Sequence, residues 1–255
     1  MSNLAPAVGF CVRVIEVLAD TEAPIGISEI SRRTEINKNM VSRILHTLEE
    51  ENWVQCDDRA CYSLTLLPFC LSSKVVNRTT LVDVSVPLLQ RFWKEFGEST
   101  YLGILRNDEV LFLTHFDSVK KVRVAGAVGG SYPLYCTAPG KALLAYSGEE
   151  YIEKYLSGHM LVKHTEKTVT DCGELKTKLE MIRRCGYSLD DEEFGNGIVC
   201  MSVPVFDYTK NVIGVVGCSF STVYCRVDEI YDRCGQQLIR TANQISKAMG
   251  FFDMN

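Results

Sequence analysis

The stretch from Ser28 to Thr65 constrains the fold more than any other part of the chain. Val41, Ile44, Leu45 and Leu48 form a narrow apolar stripe at helical spacing, and Lys38, Asn39, Ser42, Arg43 and His46 fall on the opposite side. Asn37 stands where its side chain can cap that helix. Ahead of it, Ser28 is placed to cap a short helix ending near Arg33, with residues 34–37 as the turn between the two. Further upstream, Val8, Cys11, Val12, Ile15 and Leu18 recur at the spacing of one helix face. Downstream, residues 53–56 and 61–65 read as short strands joined by Asp57, Asp58, Arg59 and Ala60, a turn with Asx chemistry but no glycine. Three helices followed by a hairpin make a winged helix-turn-helix.

The third helix presents the residue types that reach base edges in a major groove, since Arg and Lys match guanine and Asn matches adenine. Lys38, Asn39, Ser42, Arg43 and His46 are therefore candidate base readers. Arg32 and Arg33, at the end of the second helix, and Arg59, in the wing, suit phosphates better. The bland alternative is a merely solvated helix face. The flanking turn and hairpin favour DNA. The chain carries a net charge of −5, against bulk attraction to nucleic acid, but residues 28–47 hold Arg32, Arg33, Lys38 and Arg43 against Glu29 and Glu35.

A length of 255 residues accommodates one large or two smaller domains, and 46% hydrophobic with 23% charged residues is ordinary globular composition. We place a winged helix-turn-helix domain at residues 1–67, a linker at 68–80 that Pro68 could open as a helix, and a second domain at 81–255. In the second domain, residues 81–96 read as a helix despite Pro87. Residues 100–105, 109–116 and 122–125 read as strands, and 126–132 as a Gly-rich loop. Helices are expected at 140–146 and at 171–184, where Asp171 and Glu174 have capping-box spacing. Apolar strands at 198–206 and 212–220 precede a long final helix at 227–249. The class is α+β.

No apolar run reaches membrane-spanning length and no basic leader opens the sequence, so a cytoplasmic protein is expected, without membrane contact. The 11 cysteines are odd in number and none is spaced Cys-x-x-Cys, and the four histidines show no paired helical spacing. They read as thiols, with no metal site, no cofactor and no catalytic residues implied. A free cysteine such as Cys136, Cys200 or Cys218 is ordinarily a small buried hydrophobe.

The runs Ile27-Ser28-Glu29-Ile30-Ser31-Arg32-Arg33-Thr34, Val41-Ser42-Arg43-Ile44-Leu45-His46-Thr47-Leu48-Glu49-Glu50 and Tyr62-Ser63-Leu64 resemble the DNA-binding half of the IclR family of bacterial transcriptional regulators. The second half resembles the family's effector domain through Pro133-Leu134-Tyr135-Cys136-Thr137-Ala138-Pro139-Gly140-Lys141-Ala142-Leu143-Leu144-Ala145, Gly186-Tyr187-Ser188-Leu189-Asp190-Asp191-Glu192-Glu193 and Gly197-Ile198-Val199-Cys200-Met201-Ser202-Val203-Pro204-Val205-Phe206-Asp207. The resemblance spans nearly the whole chain, in order. It implies an effector domain with a central antiparallel sheet flanked by helices, GAF- or profilin-like. It also implies a homodimer or dimer of dimers that binds operator DNA and senses a small organic acid to control catabolic genes. Carried over by motif, Ala138, Pro139, Gly140, Asp190, Ile198, Cys200, Gly217 and Ser219 would line the effector pocket, and the cysteine at 200 would gain a binding role. A keto or sugar acid is the expected effector, its carboxylate toward the helix start at Gly140 and its hydroxyls toward Asp190. A cysteine-based redox or metal sensor, or a thiol enzyme using Cys200 or Cys136, are the alternatives.

Several residues depart from the family pattern. Glu35 replaces a turn glycine and costs roughly 1 kcal/mol if left-handed. Asn39-Met40 replaces a Ser-Thr pair at the start of the recognition helix. Gly217-Cys218-Ser219-Phe220 is poorer in serine than usual, and Pro139 has no N–H to offer an anion.

Overall fold

Pro6 opens the first helix, α1 (Pro6–Ala19), where its missing N–H costs nothing. In this computed structural model, which describes residues 5–76 and 79–252, the chain divides into two units, Met1–Arg78 and Thr79–Asn255.

In the first unit, α1 buries Val14 and Leu18, with Phe10, Cys11 and Ile15 half in the core, whereas Val8 and Val12 stay exposed. The stripe read from the sequence is thus rotated toward Val14. A short strand, β1 (Ile25–Gly26), pairs antiparallel with the wing and leads straight into α2 (Ile27–Thr34). Because the strand uses those residues, Gly26 becomes the N-cap and Ser28 lies inside the helix rather than capping it. Glu35 ends α2 at φ 58°, the left-handed conformation that favours glycine. Asn37 caps α3 (Lys38–Glu50), its side chain accepting the Met40 amide at 2.9 Å, and Val41, Ile44, Leu45 and Leu48 are buried. The wing is β2 (Val54–Cys56) and β3 (Cys61–Leu64), and Asp57 Oδ1 accepts the amides of Arg59 and Cys61 to shape the turn. A fourth helix, α4 (Leu67–Val76), follows. It runs on through residues 71–76, where the sequence shows little apolar periodicity.

The second unit begins with α5 (Leu81–Phe96), capped by Thr80 and closed by Gly97 at φ 67°. Its sheet contains β4 (Ser99–Arg106), β5 (Glu109–Phe116), β6 (Ser131–Pro133), β7 (Ser188–Asp191), β8 (Ile198–Phe206) and β9 (Val212–Ser221). They run antiparallel in the order β6-β5-β4-β9-β8-β7. Alternation splits the core across the sheet. Tyr101 and Val215 pack with α6 (Ala138–Ala145), α7 (Glu149–Gly158) and α8 (Cys172–Cys185) on one face. Leu102 and Val216 pack with α5 and α9 (Gln236–Ala248) on the other.

Four expectations need correcting. Residues 122–125, with Arg123 between two valines, join no ladder; Val124 instead offers its carbonyl to Ser99 Oγ. β6 takes up the end of the expected loop and the residue after it, too short at three residues to show alternation. The four consecutive acids from Asp190 to Glu193 read as following a strand, but Asp190 is within β7. The final helix starts irregularly, with a 3-10 turn at Val227–Glu229 and a π turn at Tyr231–Gly235.

Candidate nucleic-acid interface and ligand cavity

The first candidate site is the outer face of α3. Lys38, Asn39, Ser42, Arg43 and His46 are all exposed, while the stripe behind them is buried in the first unit's core. The capping bond of Asn37 fixes where that helix begins, and so which residues stand at its leading end. None of these five side chains makes a hydrogen bond or ion pair among the described residues. Arg59 stands exposed in the wing turn. Arg32 and Arg33 are exposed too, but both are held by Glu29, at 2.6 and 2.7 Å. The two guanidiniums bring the Glu29 carboxyl down to about 2, and at neutral pH the ionised Glu29 offsets one of the two arginine charges.

The second candidate site is a cavity of about 520 Å³, counting its mouth, on the α6 side of the sheet. Register builds its floor: Asp190 on β7 is paired with Cys200 on β8, and Cys200 with Ser219 on β9. The Cys200 thiol lies 3.0 Å from Ser219 Oγ. Ile198 and Pro139 complete the set of five expected residues that line it.

The other three lie outside the lining, each for a packing reason. Ala138 is fully buried, and its carbonyl accepts Ser188 Oγ. Gly140 sits against backbone; a Cβ there would come within 2.4 Å of Leu134 Cα. Its amide, expected to be free for an anion, is taken by Thr137 Oγ1 at 3.0 Å. Gly217 lies under the Tyr101 ring, where a Cβ would approach to 2.4 Å, and it acts by leaving room for that ring in the cavity wall. Tyr101 is fixed above it by a 2.7 Å bond between its hydroxyl and Ser202 Oγ.

Sequence reasoning missed the rest of the wall. Tyr101 and Phe112 stack with centroids 4.5 Å apart, and His115, Tyr132, Thr137 and Phe194 join them. The residues 124–126 expected as strand end and loop close one side, and Gly126 fits only because it lacks a Cβ, which would meet the His115 ring at 2.4 Å. The one signal in the sequence is His115 on an apolar strand, and the sheet sets it opposite Tyr101.

Electrostatics set the character of the cavity. Burial pushes the Asp190 carboxyl up to about 7, although Lys141 and the amides of Glu193 and Phe194 pull the other way. Lys141 is itself almost fully buried and ion-paired with Glu193, which Lys178 also approaches at 3.4 Å. Burial lowers His115 and raises the Cys200 thiol, so both are neutral at pH 7. Near pH 7 the Asp190 carboxyl therefore carries less negative charge than an exposed carboxylate would.

Two family descriptions match the chain: an IclR helix-turn-helix domain over residues 11–58, and the C-terminal domain of IclR bacterial transcriptional regulators over residues 73–247. The chain belongs to the IclR family. Its relatives include the HTH-type transcriptional regulator KdgR of Escherichia coli, 32% identical with 94% of this chain and 91% of that protein covered. The transcriptional repressor IclR of the same organism is 24% identical over 94% of this chain and 88% of its own length. Among solved structures, the C-terminal domain of E. coli KdgR is 30% identical, with a TM-score of 0.60 over 67% of this chain and 99% of that one. The Agobacterium tumefaciens repressor BlcR, 20% identical, shares the fold with a TM-score of 0.79 over 99% of this chain and 100% of its own. This IclR-family chain is a DNA-binding transcriptional regulator with an effector-binding domain, and its family is not one of enzymes. No helix among the described residues is long and apolar enough to cross a membrane.

Proposed function

We propose that this regulator reads operator DNA with Lys38, Asn39, Ser42, Arg43 and His46, holds phosphates with Arg32, Arg33 and Arg59, and responds to a small organic acid in the Asp190 cavity. The observation that carries the reading is the α3 face: hydrogen-bonding side chains exposed, without side-chain partners among the described residues, on a helix whose other side is locked into a core. The effector class is supported by the cavity's mixture of aromatic wall and hydroxyl, thiol, imidazole and carboxyl groups, which suits a keto or hydroxy acid over a fatty acid. A two-fold assembly, a homodimer or a dimer of dimers, would present two α3 faces to one site.

Sequencing the DNA fragments retained by the pure full chain tests this, followed by titration of the best fragment with and without pyruvate, gluconate or acetate. A shared motif is expected, with affinity altered by the keto or hydroxy acid more than by acetate. If Glu29 cancels one of its two arginines, two copies neutralise about four phosphates and the log-log salt slope is about −4. A slope near zero, or retention of random fragments, refutes the DNA reading.

A further inference from the structure

Charged and titratable groups face Asp190 from several packed elements. From α6 comes Lys141, whose ammonium is already held by Glu193. From the segment after β7 come Glu193 and the two amides, that of Glu193 reaching Asp190 Oδ1 at 2.7 Å. Cys200 on β8, Tyr101 on β4 and Cys136 ahead of α6 are kept protonated by burial, and His115 on β5 is kept neutral by it. An acid entering this cavity therefore finds a cation already neutralised and a carboxyl already buried, and two carboxyl groups in one dry site hold a proton between them.

We propose that Asp190 meets the effector as the neutral acid, donating its carboxyl proton in a hydrogen bond to the effector's carboxylate, so that binding to a chain whose Asp190 was ionised brings one proton into the protein. The inference rests on the reading of this cavity as an organic-acid site. The balance is simple: effector carboxylate, ionised Asp190 and one proton from solvent give the complex. The pocket thereby selects carboxylates over amides or esters of the same shape, because an amide or ester carbonyl carries no charge to share the proton.

Because burial already holds free Asp190 near 7, uptake depends on pH. Calorimetry of the full chain with pyruvate and with gluconate, in buffers of different ionisation enthalpy, counts the protons. The expected uptake is about one-tenth of a proton at pH 6 and about nine-tenths at pH 8, with affinity falling toward tenfold per pH unit above that range. Asp190→Asn keeps a donor but cannot titrate, so it should bind the acid with affinity that is flat across pH and with no Asp190-linked uptake. Binding by wild type with buffer-independent heats at pH 8 overturns the proposal while leaving the acid site standing. Uptake that persists undiminished in Asp190→Asn assigns the proton to another group, His115 first, and overturns it too. Absence of binding by both acids refutes the reading of the cavity, and the proposal falls with it.

Discussion

The α3 face and the sheet cavity both carry recognition chemistry, yet they are built by opposite physics. On α3 the functional side chains stand in water, and the helix is held by Val41, Ile44, Leu45 and Leu48 behind them. In the cavity, Asp190, Cys200 and Ser219 are buried members of a three-strand row and already have hydrogen-bond partners. The first kind of site can change its residues without touching stability. The second cannot, because its polar groups are also part of what the fold must satisfy.

The comparison breaks first at the buried ion pair. Lys141→Met leaves Glu193 buried, with only the 3.4 Å approach of Lys178 to offset its charge, and Glu193 Oε2 already has no partner among the described residues. A loss of about 3–5 kcal/mol in the unfolding of the second unit is expected from denaturant titration. A loss below about 1 kcal/mol would show that the buried charges beside Asp190 are as separable from the fold as the side chains of α3. A smaller effect is expected at Gly217→Ala, which pushes a methyl into the Tyr101 ring at a cost of about 1–3 kcal/mol. It should also weaken acid binding, since that ring is cavity wall. Full stability with unchanged binding would remove Gly217 from the account.

The two regions also differ in how far the sequence exposed them. In the first unit the signals are local: a cap at Asn37, a stripe at period 3.6 and an Asx turn at Asp57 each act within a few residues. Even there β1 escaped notice, because two residues carry no period, and its formation displaced the expected cap at Ser28. In the second unit the long strands β8 and β9 were legible as apolar runs, and family motifs pointed to Asp190, Ile198, Cys200, Ser219 and Pro139. What convergence requires is register between distant strands, and no local pattern encodes it. Hence Tyr101, Phe112 and His115 show in the sequence only as strand residues, while Gly140 and Gly217 stand at lining positions of the family motif although they serve close packing. The ionisation of Asp190 was likewise out of reach, since it depends on burial that only the folded sheet creates.

One measurement tests the central claim directly: the retained DNA motif and the unfolding free energy of wild type and Arg43→Ala, determined side by side. Arg43 is exposed and forms no side-chain bond among the described residues, so stability should agree within about 0.5 kcal/mol. Preference at one position of the motif should relax, with a cost of about 1–3 kcal/mol on the preferred base. The same motif bound with the same affinity by both proteins would contradict the assignment of α3 as the reading helix.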